Sequence, residues 1–459
     1  MIRAPLSQPS LLSRPASRLA LAAFAVFLLG VNLAVFHHAI GWDVFHNTDS
    51  EVMLGVAKRA GWHEAVGWIT GPWLGAPLCL YYRPTSSWLM WAEWALFGWD
   101  EAGYQWVGMG LHLASALLFW RIAVMLLGGE ILGGVAALVF SLRPRNVRTL
   151  AVLTAQPDLV AAAFMFLSLL LLLVYLRSHR TREPLGTAGP VGVAPAAKGR
   201  PVTRYLLLIG SLIAALLSLG GKEMALSLPF LATLIILFDR GSPRRQKALL
   251  LGAFWATFAV FMLGRTFAMS GLGYIPKGWR DPMEAVTTFT RSAGLYFAYP
   301  FAAAVVTREY WPLAMLGAIV GYVAAAWRWP ALRGERVLLY GVLPGFMGMA
   351  LGFAVLFSGE WVGVLTTYPW LLLGLMLVYG VGAMVVIRHD HRAALFVILW
   401  GLFCFAPAAY RVYDWPGKFF YIPQTFWAFA AALLVEGLVV LIVKRFPVVA
   451  KASPWLGRR

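Results

Sequence analysis

Residues 19–40 read LALAAFAVFLLGVNLAVFHHAI. No formal charge interrupts the run. The segment before it, 1–18, carries Arg3, Arg14 and Arg18 and no acid. The run is too long for a signal-peptide core, and no small-residue cleavage site follows it. It is therefore read as a retained transmembrane helix. Its basic flank sets the N-terminus on the cytoplasmic side, because cytoplasmic loops collect Lys and Arg.

Working outward, the same pattern repeats. The 459-residue chain is 60% hydrophobic and 13% charged, with a mean hydropathy of +0.73. A soluble domain would carry about a quarter charged residues. Long apolar runs separated by short basic loops predict an all-α polytopic membrane protein with about 12 transmembrane helices. The single transmembrane domain covers 19–443, and 444–459 is a cytoplasmic tail. After the first helix, a first outer loop, 41–103, is rich in Trp, Gly and Pro and holds acids as well as bases. It is read as short amphipathic helices lying along the membrane and anchored by indoles. Helices are then expected near 104–122, 131–142, 158–176, 205–219, 224–238 and 248–264. A cytoplasmic linker, 177–203, has no apolar periodicity. The segment 288–306 is read as re-entrant or interfacial. The last helices are expected near 312–327, 337–357, 362–387, 393–409 and 421–443.

This topology explains the charge. The formal net charge is +18, and the model assigns the whole excess to the inner face, where it reports orientation and attraction to anionic lipid. Nucleic-acid binding is excluded as the meaning of the basicity. The two cysteines, Cys79 and Cys404, are far apart, and the eight histidines show no ligand spacing, so neither a disulfide nor a metal site is expected.

On the outer face the charges balance and gather at four points, with bland readings for each. Residues 47–51 (NTDSE) present Asp49 and Glu51, where a carboxylate could take a proton from an acceptor hydroxyl or simply be a solvated loop acid. Residues 142–148 (LRPRNVR) place Arg143, Arg145 and Arg148 on the outer face, followed by Asp158. Arginine forks suit phosphate, and pairing with the acidic first loop or lipid headgroups is the alternative. Lys222 and Glu223 sit at a short helix-hairpin tip, where charge is costly unless buried or facing a cavity. An internal ion pair is the other reading. Residues 411–418 (RVYDWPGK) supply Arg411 and Lys418, with Tyr421 following, either as site residues or as an interfacial belt.

These motifs, in this order, resemble the GT-C-fold membrane glycosyltransferases, in particular the transmembrane-and-tetratricopeptide O-mannosyltransferases and their bacterial relatives, without the repeats. Tyr81-Tyr82-Arg83-Pro84-Thr85-Ser86, then Phe97-Gly98, Gly103-Tyr104 and His112, look like that family's Y-R-P-L-S … F-G … G-Y-H … H run. Arg143-Pro144 through Asp158-Leu159 looks like H-P-x-H-x-E-x-V-x-W-x-x-G-R-x-D-L. Lys222-Glu223-Met224 with Leu228-Pro229 and Asp239 resembles S-K-E-x-x-x-x-L-P … D. Lys418-Phe419-Phe420-Tyr421-Ile422-Pro423 resembles E-R-Y-x-Y-x-P. In the second motif Arg143 and Asn146 stand at the family's histidines, Arg148 at its glutamate, Val152 at its tryptophan and Gln156 at its arginine.

The resemblance implies transfer of a sugar from a polyprenyl-phosphate carrier to a protein or glycan acceptor at the outer face of a bacterial-type inner membrane. Asp49, with Glu51 next in line, would be the base, and Asp158 the second acid. Arg83, Lys222 and Lys418 would hold the carrier phosphate. The donor is a lipid-linked sugar, no further cofactor is implied, and a divalent metal stays open. Two other readings remain: a catalytically degenerate structural subunit of a larger membrane assembly, and a transporter or flippase of a lipid-linked anion.

Overall fold

The structure, a computed structural model, describes residues 15–41, 48–75, 81–143, 146–180, 201–270, 391–408 and 421–445. All regular elements among them are helical, and no strand occurs among the described residues. Four helical stretches, Ala22–Ala39, Glu101–Leu127, Leu153–Ser178 and Arg244–Ala268, are long and apolar enough to cross a membrane. Five shorter apolar helices accompany them among the described residues. The expected helices near 312–327, 337–357 and 362–387, and the re-entrant segment 288–306, lie outside the described residues. The chain divides into two compact units, Ile2–Ile275 and Pro276–Arg459.

In the first unit, α1 (Pro15–Phe36) carries the 19–40 run. Asn32, a polar side chain on this helix, is fully enclosed. Asn32 Nδ2 donates to Ser141 Oγ at 3.1 Å, and His112 Nε2 lies 3.1 Å from Asn32 Oδ1. A buried amide must find partners, and here the partners lock three helices together.

The first outer loop folds as short helices: α2 (Thr48–Arg59), α3 (Trp62–Gly67) and α4 (Pro84–Phe97). They share a small core of Met53, Leu54, Ala65, Trp68, Leu74 and Met90, closed by Tyr104 and Leu153. Val52, Trp62, Ile69, Leu96 and Trp99 remain exposed, as befits a layer with one face toward an apolar phase.

A hairpin follows, α5 (Glu101–Leu127) and α6 (Glu130–Ser141). Asp100 caps α5, its carboxylate accepting from Ala102 N at 3.2 Å. Gly128 ends the helix at φ +74°, a left-handed conformation that glycine adopts freely. The arginine stretch, expected to be a loop over 143–157, is mostly helical: α7 (Asn146–Ala151), a 3-10 turn Leu153–Ala155, then α8 (Gln156–Arg180). The reason is Asn146. Its Nδ2 donates to the Phe140 and Ser141 carbonyls at 3.0 and 2.9 Å, satisfying last-turn carbonyls of α6 and turning the chain at once into α7.

The linker expected over 177–203 is shorter than that, since α8 runs to Arg180 and α9 (Pro201–Leu219) begins at 201. A 3-10 turn, Glu223–Ser227, leads into α10 (Leu228–Phe238), and α11 (Arg244–Ala268) closes the unit. α8 is the central helix, packed on α5 and α9, while α11 packs on α9 and α10.

In the second unit, α12 (His391–Phe405) lies against α13 (Thr425–Arg445). Thr425 joins them: its hydroxyl donates to Ile422 O at 2.8 Å and accepts from Trp400 Nε1 at 2.9 Å. Cys404, a free buried thiol, sits beside it.

Candidate functional site

A following proline disfavours helical backbone, and Arg83, before Pro84, stands outside the helical region at φ −139° and ψ 61° as α4 begins. The start of α4 is seated on the tip between α9 and α10. Thr85 N donates to Gly220 O at 3.0 Å, and Ser86 Oγ to Gly221 O at 2.8 Å. Glycine is required for this approach: a Cβ on Gly220 would lie 2.5 Å from Thr85 Oγ1, and one on Gly221 would lie 2.9 Å from Ala161 N.

That seating brings together charges from three sequence-distant segments. Arg83 Nε donates to both carboxylate oxygens of Glu223 at 3.1 Å, and its Nη2 donates to Oε2 at 2.5 Å. The guanidinium also stacks on Trp73 and Tyr81, 4.5 and 4.4 Å from the ring centroids. Lys222 Nζ donates to Asp158 Oδ2 at 2.5 Å. Asp158 lies in the first turn of α8, where the helix field favours an anion. The cluster is dry: Arg83 is 6% exposed, Lys222 3% and Asp158 1%.

Burial and pairing pull in opposite directions here. Burial would lower the Arg83 pKa, but Glu223 outweighs it and holds the guanidinium above its ordinary value. Burial would raise Glu223, but Arg83 holds it below the usual carboxylate range. For Lys222, burial wins and pulls the amine down, though Asp158 opposes it. Lys222 and Glu223 thus form ion pairs, each with a distant partner and not with each other.

A second acid was not singled out from the sequence. Glu93, on α4, is 1% exposed, and Gln156 Nε2 donates to its Oε1. Its Oε2 is buried with no hydrogen-bond partner among the described residues. Burial pushes its pKa up to about 8, against the opposing pull of the Gln156 bond. The available signal was one acid in the apolar run WLMWAEWALF, on a helix rich in indoles. Arg265 was likewise passed over. It ends an apolar helix, where a flanking arginine looks ordinary, yet it is 7% exposed and close enough to Glu223 to help hold that carboxylate ionised.

Of the residues expected at the site, Arg83, Asp158, Lys222 and Glu223 come together. Asp49 and Glu51 begin α2, with Glu51 exposed. Arg143 is half-buried at the end of α6. Tyr421 is buried in the second unit. The side chains of Asp49 and Arg148, together with Arg145, Arg411 and Lys418, lie outside the described residues. No three His, Cys, Asp or Glu side chains converge as a metal site among the described residues. Comparison of the chain with protein-family models, curated proteins and solved structures gave no match.

Proposed function

We propose that this chain is a membrane glycosyltransferase that moves a sugar from a polyprenyl-phosphate carrier to an acceptor at the outer face of a plasma membrane, with about 12 spans in the GT-C manner and both termini cytoplasmic. The observation that carries the reading is the buried charge cluster under the amphipathic layer. It places Arg83 and Lys222 beside apolar helices, an arrangement suited to a lipid that ends in phosphate. In the reaction, an acceptor hydroxyl oxygen bonds to the anomeric carbon while the bond from that carbon to the carrier phosphate breaks. Asp49 takes the hydroxyl proton, and the cations stabilise the departing lipid phosphate. Asp158 acts through Lys222, as a positioning residue.

The test is transfer of labelled sugar from polyprenyl-phosphate donors in membranes containing the full chain. Asp49→Asn should reduce transfer by at least about a hundredfold, the lower range for a lost general base, while expression and thermal unfolding stay unchanged. Full activity in that variant removes Asp49 as the base. One observation favours a second reading, a structural subunit: Asp158 and Glu223 are each held in an ion pair. A folded wild-type protein that transfers no sugar from any such donor decides for that reading.

A further inference from the structure

Two guanidinium groups act on Glu223. Arg83 donates to both of its oxygens. Arg265, on the last turn of α11, adds its charge without a hydrogen bond to the carboxylate. Packing holds the end of α11 near this pair. Phe261, one turn earlier, sets its ring 5.5 Å from that of Tyr82, and a Cβ on Gly264 would lie 3.7 Å from the Tyr82 hydroxyl. Tyr82 is the chain neighbour of Arg83, and its hydroxyl is fixed by donating to Ile69 O at 2.7 Å. Arg265 is 7% exposed, yet its Nε is buried with no hydrogen-bond partner among the described residues. A buried donor left unmade is unfavourable, so this N–H stands ready for an acceptor. Arg83 has the opposite condition. Its fork is closed by Glu223, and any other anion that takes the fork must displace that carboxylate. A desolvated carboxylate without a cation is strongly unfavourable. Lys222, the nearest cation in sequence, donates to Asp158. Arg265 has the unused donor.

We propose that Glu223 is a carboxylate with two alternative partners: it pairs with Arg83 in the structure and passes to Arg265 when an incoming anion takes Arg83. Each position gives the carboxylate a guanidinium, as a two-state element requires. Arg265 is then a positioning residue. It receives Glu223 and does not touch the anion. The handover rests on the preceding reading only in naming that anion as the lipid phosphate; the two positions of Glu223 require no sugar transfer.

The first measurement needs no ligand. Thermal unfolding of the full chain in lipid nanodiscs is followed through a double-mutant cycle. Arg265→Gln should lower the midpoint by roughly 5 °C or more beyond its effect in the wild type when Arg83→Gln is also present, because Glu223 then has neither guanidinium. Arg265→Lys should cause less of that loss. Adding Glu223→Gln to the double variant should restore most of it. Equal effects of Arg265→Gln in the two backgrounds overturn the handover. So does an Arg83→Gln protein that does not fold. If only the double variant fails to fold, rescue by Glu223→Gln supports the handover and lack of rescue overturns it. The second measurement is binding of a long-chain isoprenyl monophosphate and the matching isoprenol. Arg265→Gln should weaken the monophosphate about tenfold, near the contribution of one charge-assisted hydrogen bond, and should have no effect once Glu223→Gln is present. The same loss in both backgrounds makes Arg265 a direct contact of the phosphate and overturns its role as receiver. A coupled thermal cycle in a wild-type protein that binds monophosphate and isoprenol equally removes the lipid-phosphate reading and keeps the two positions of Glu223.

Discussion

At Glu93, burial and a single amide donor fix the protonation state. The folded protein holds that carboxyl protonated up to about pH 8, whereas an unfolded chain releases the proton near the ordinary carboxylate value. Between about 4.5 and about 8 the native state therefore binds the extra proton, and stability falls as pH rises through that window. The limiting slope is about 1.4 kcal/mol per pH unit. Glu93→Gln keeps an acceptor for Gln156 and removes the titration. Thermal melts followed by tryptophan fluorescence should show the wild type losing stability relative to the variant across this window. Relative to the wild type, the variant should lose less stability per pH unit across this window and be the more stable protein at the upper end. Parallel slopes for the two proteins would show that Glu93 is ionised in the fold. This residue shows where reading a sequence stops. Lys222 and Glu223 drew notice because paired charges at a short hairpin tip are expensive, but their partners are 64 and 140 residues away. Glu93 stood among indoles in a loop that already held several acids, and only the packing of α4 on α8 sets it apart.

At the scale of elements, α4 works as a strap across the end of the helical bundle. It is pinned at Arg83 to Glu223, at Ser86 to Gly221 O, and at Glu93 to Gln156. The seat depends on the bare backbone at 220 and 221. Gly221→Ala puts a Cβ 2.9 Å from Ala161 N and 3.0 Å from Ser218 O. These are backbone atoms of two packed helices and cannot swing aside. The variant should lose about 1–3 kcal/mol, the range for overpacking in a close-packed interior. It should also lose phosphate binding, because the tip carries Lys222 and Glu223. Gly55→Ala, where an added Cβ meets nothing within 4 Å, should not destabilise and serves as control. Equal melting temperatures for the Gly221→Ala and wild-type proteins would show that α4 is not seated as described. Among the described residues, the apolar helices were legible to within a few residues, because a lipid phase demands long unbroken apolar runs. The helix α7 was not. Its sequence is short and basic, and what folds it is Asn146 reaching back to α6 carbonyls, a contact no local pattern announces.

For the whole molecule, charge and structure meet at the two ends of α8. Asp158 at its start belongs to the buried cluster. Toward its other end, Arg177 Nη2 donates to Met125 O at 2.9 Å, and Arg204 Nη2 donates to Ser178 O at 2.6 Å. At 1.5 Å per residue these two sets of contacts are separated by roughly the thickness of a hydrocarbon core. If the arginine end faces the cytoplasm, as the bias in basic residues requires, the cluster faces outward. On the proposed function, a lipid-linked donor would be reached there without a nucleotide sugar. The orientation can be read by labelling with a membrane-impermeant maleimide in sealed right-side-out vesicles, after Cys79 and Cys404 are changed to serine. His63 on α3 and Arg245 on α11 are both exposed, so cysteine at either position should react where it meets solvent. His63→Cys should label in intact vesicles, and Arg245→Cys only after detergent opens them. The reverse pattern would put the charge cluster on the cytoplasmic face. The outer-face donor would then lose its ground, and the basic clusters would lie against the inside-positive rule. Labelling of both positions from outside would break the odd number of crossings between α3 and the start of α11, and with it the assignment of the shorter apolar helices as spans.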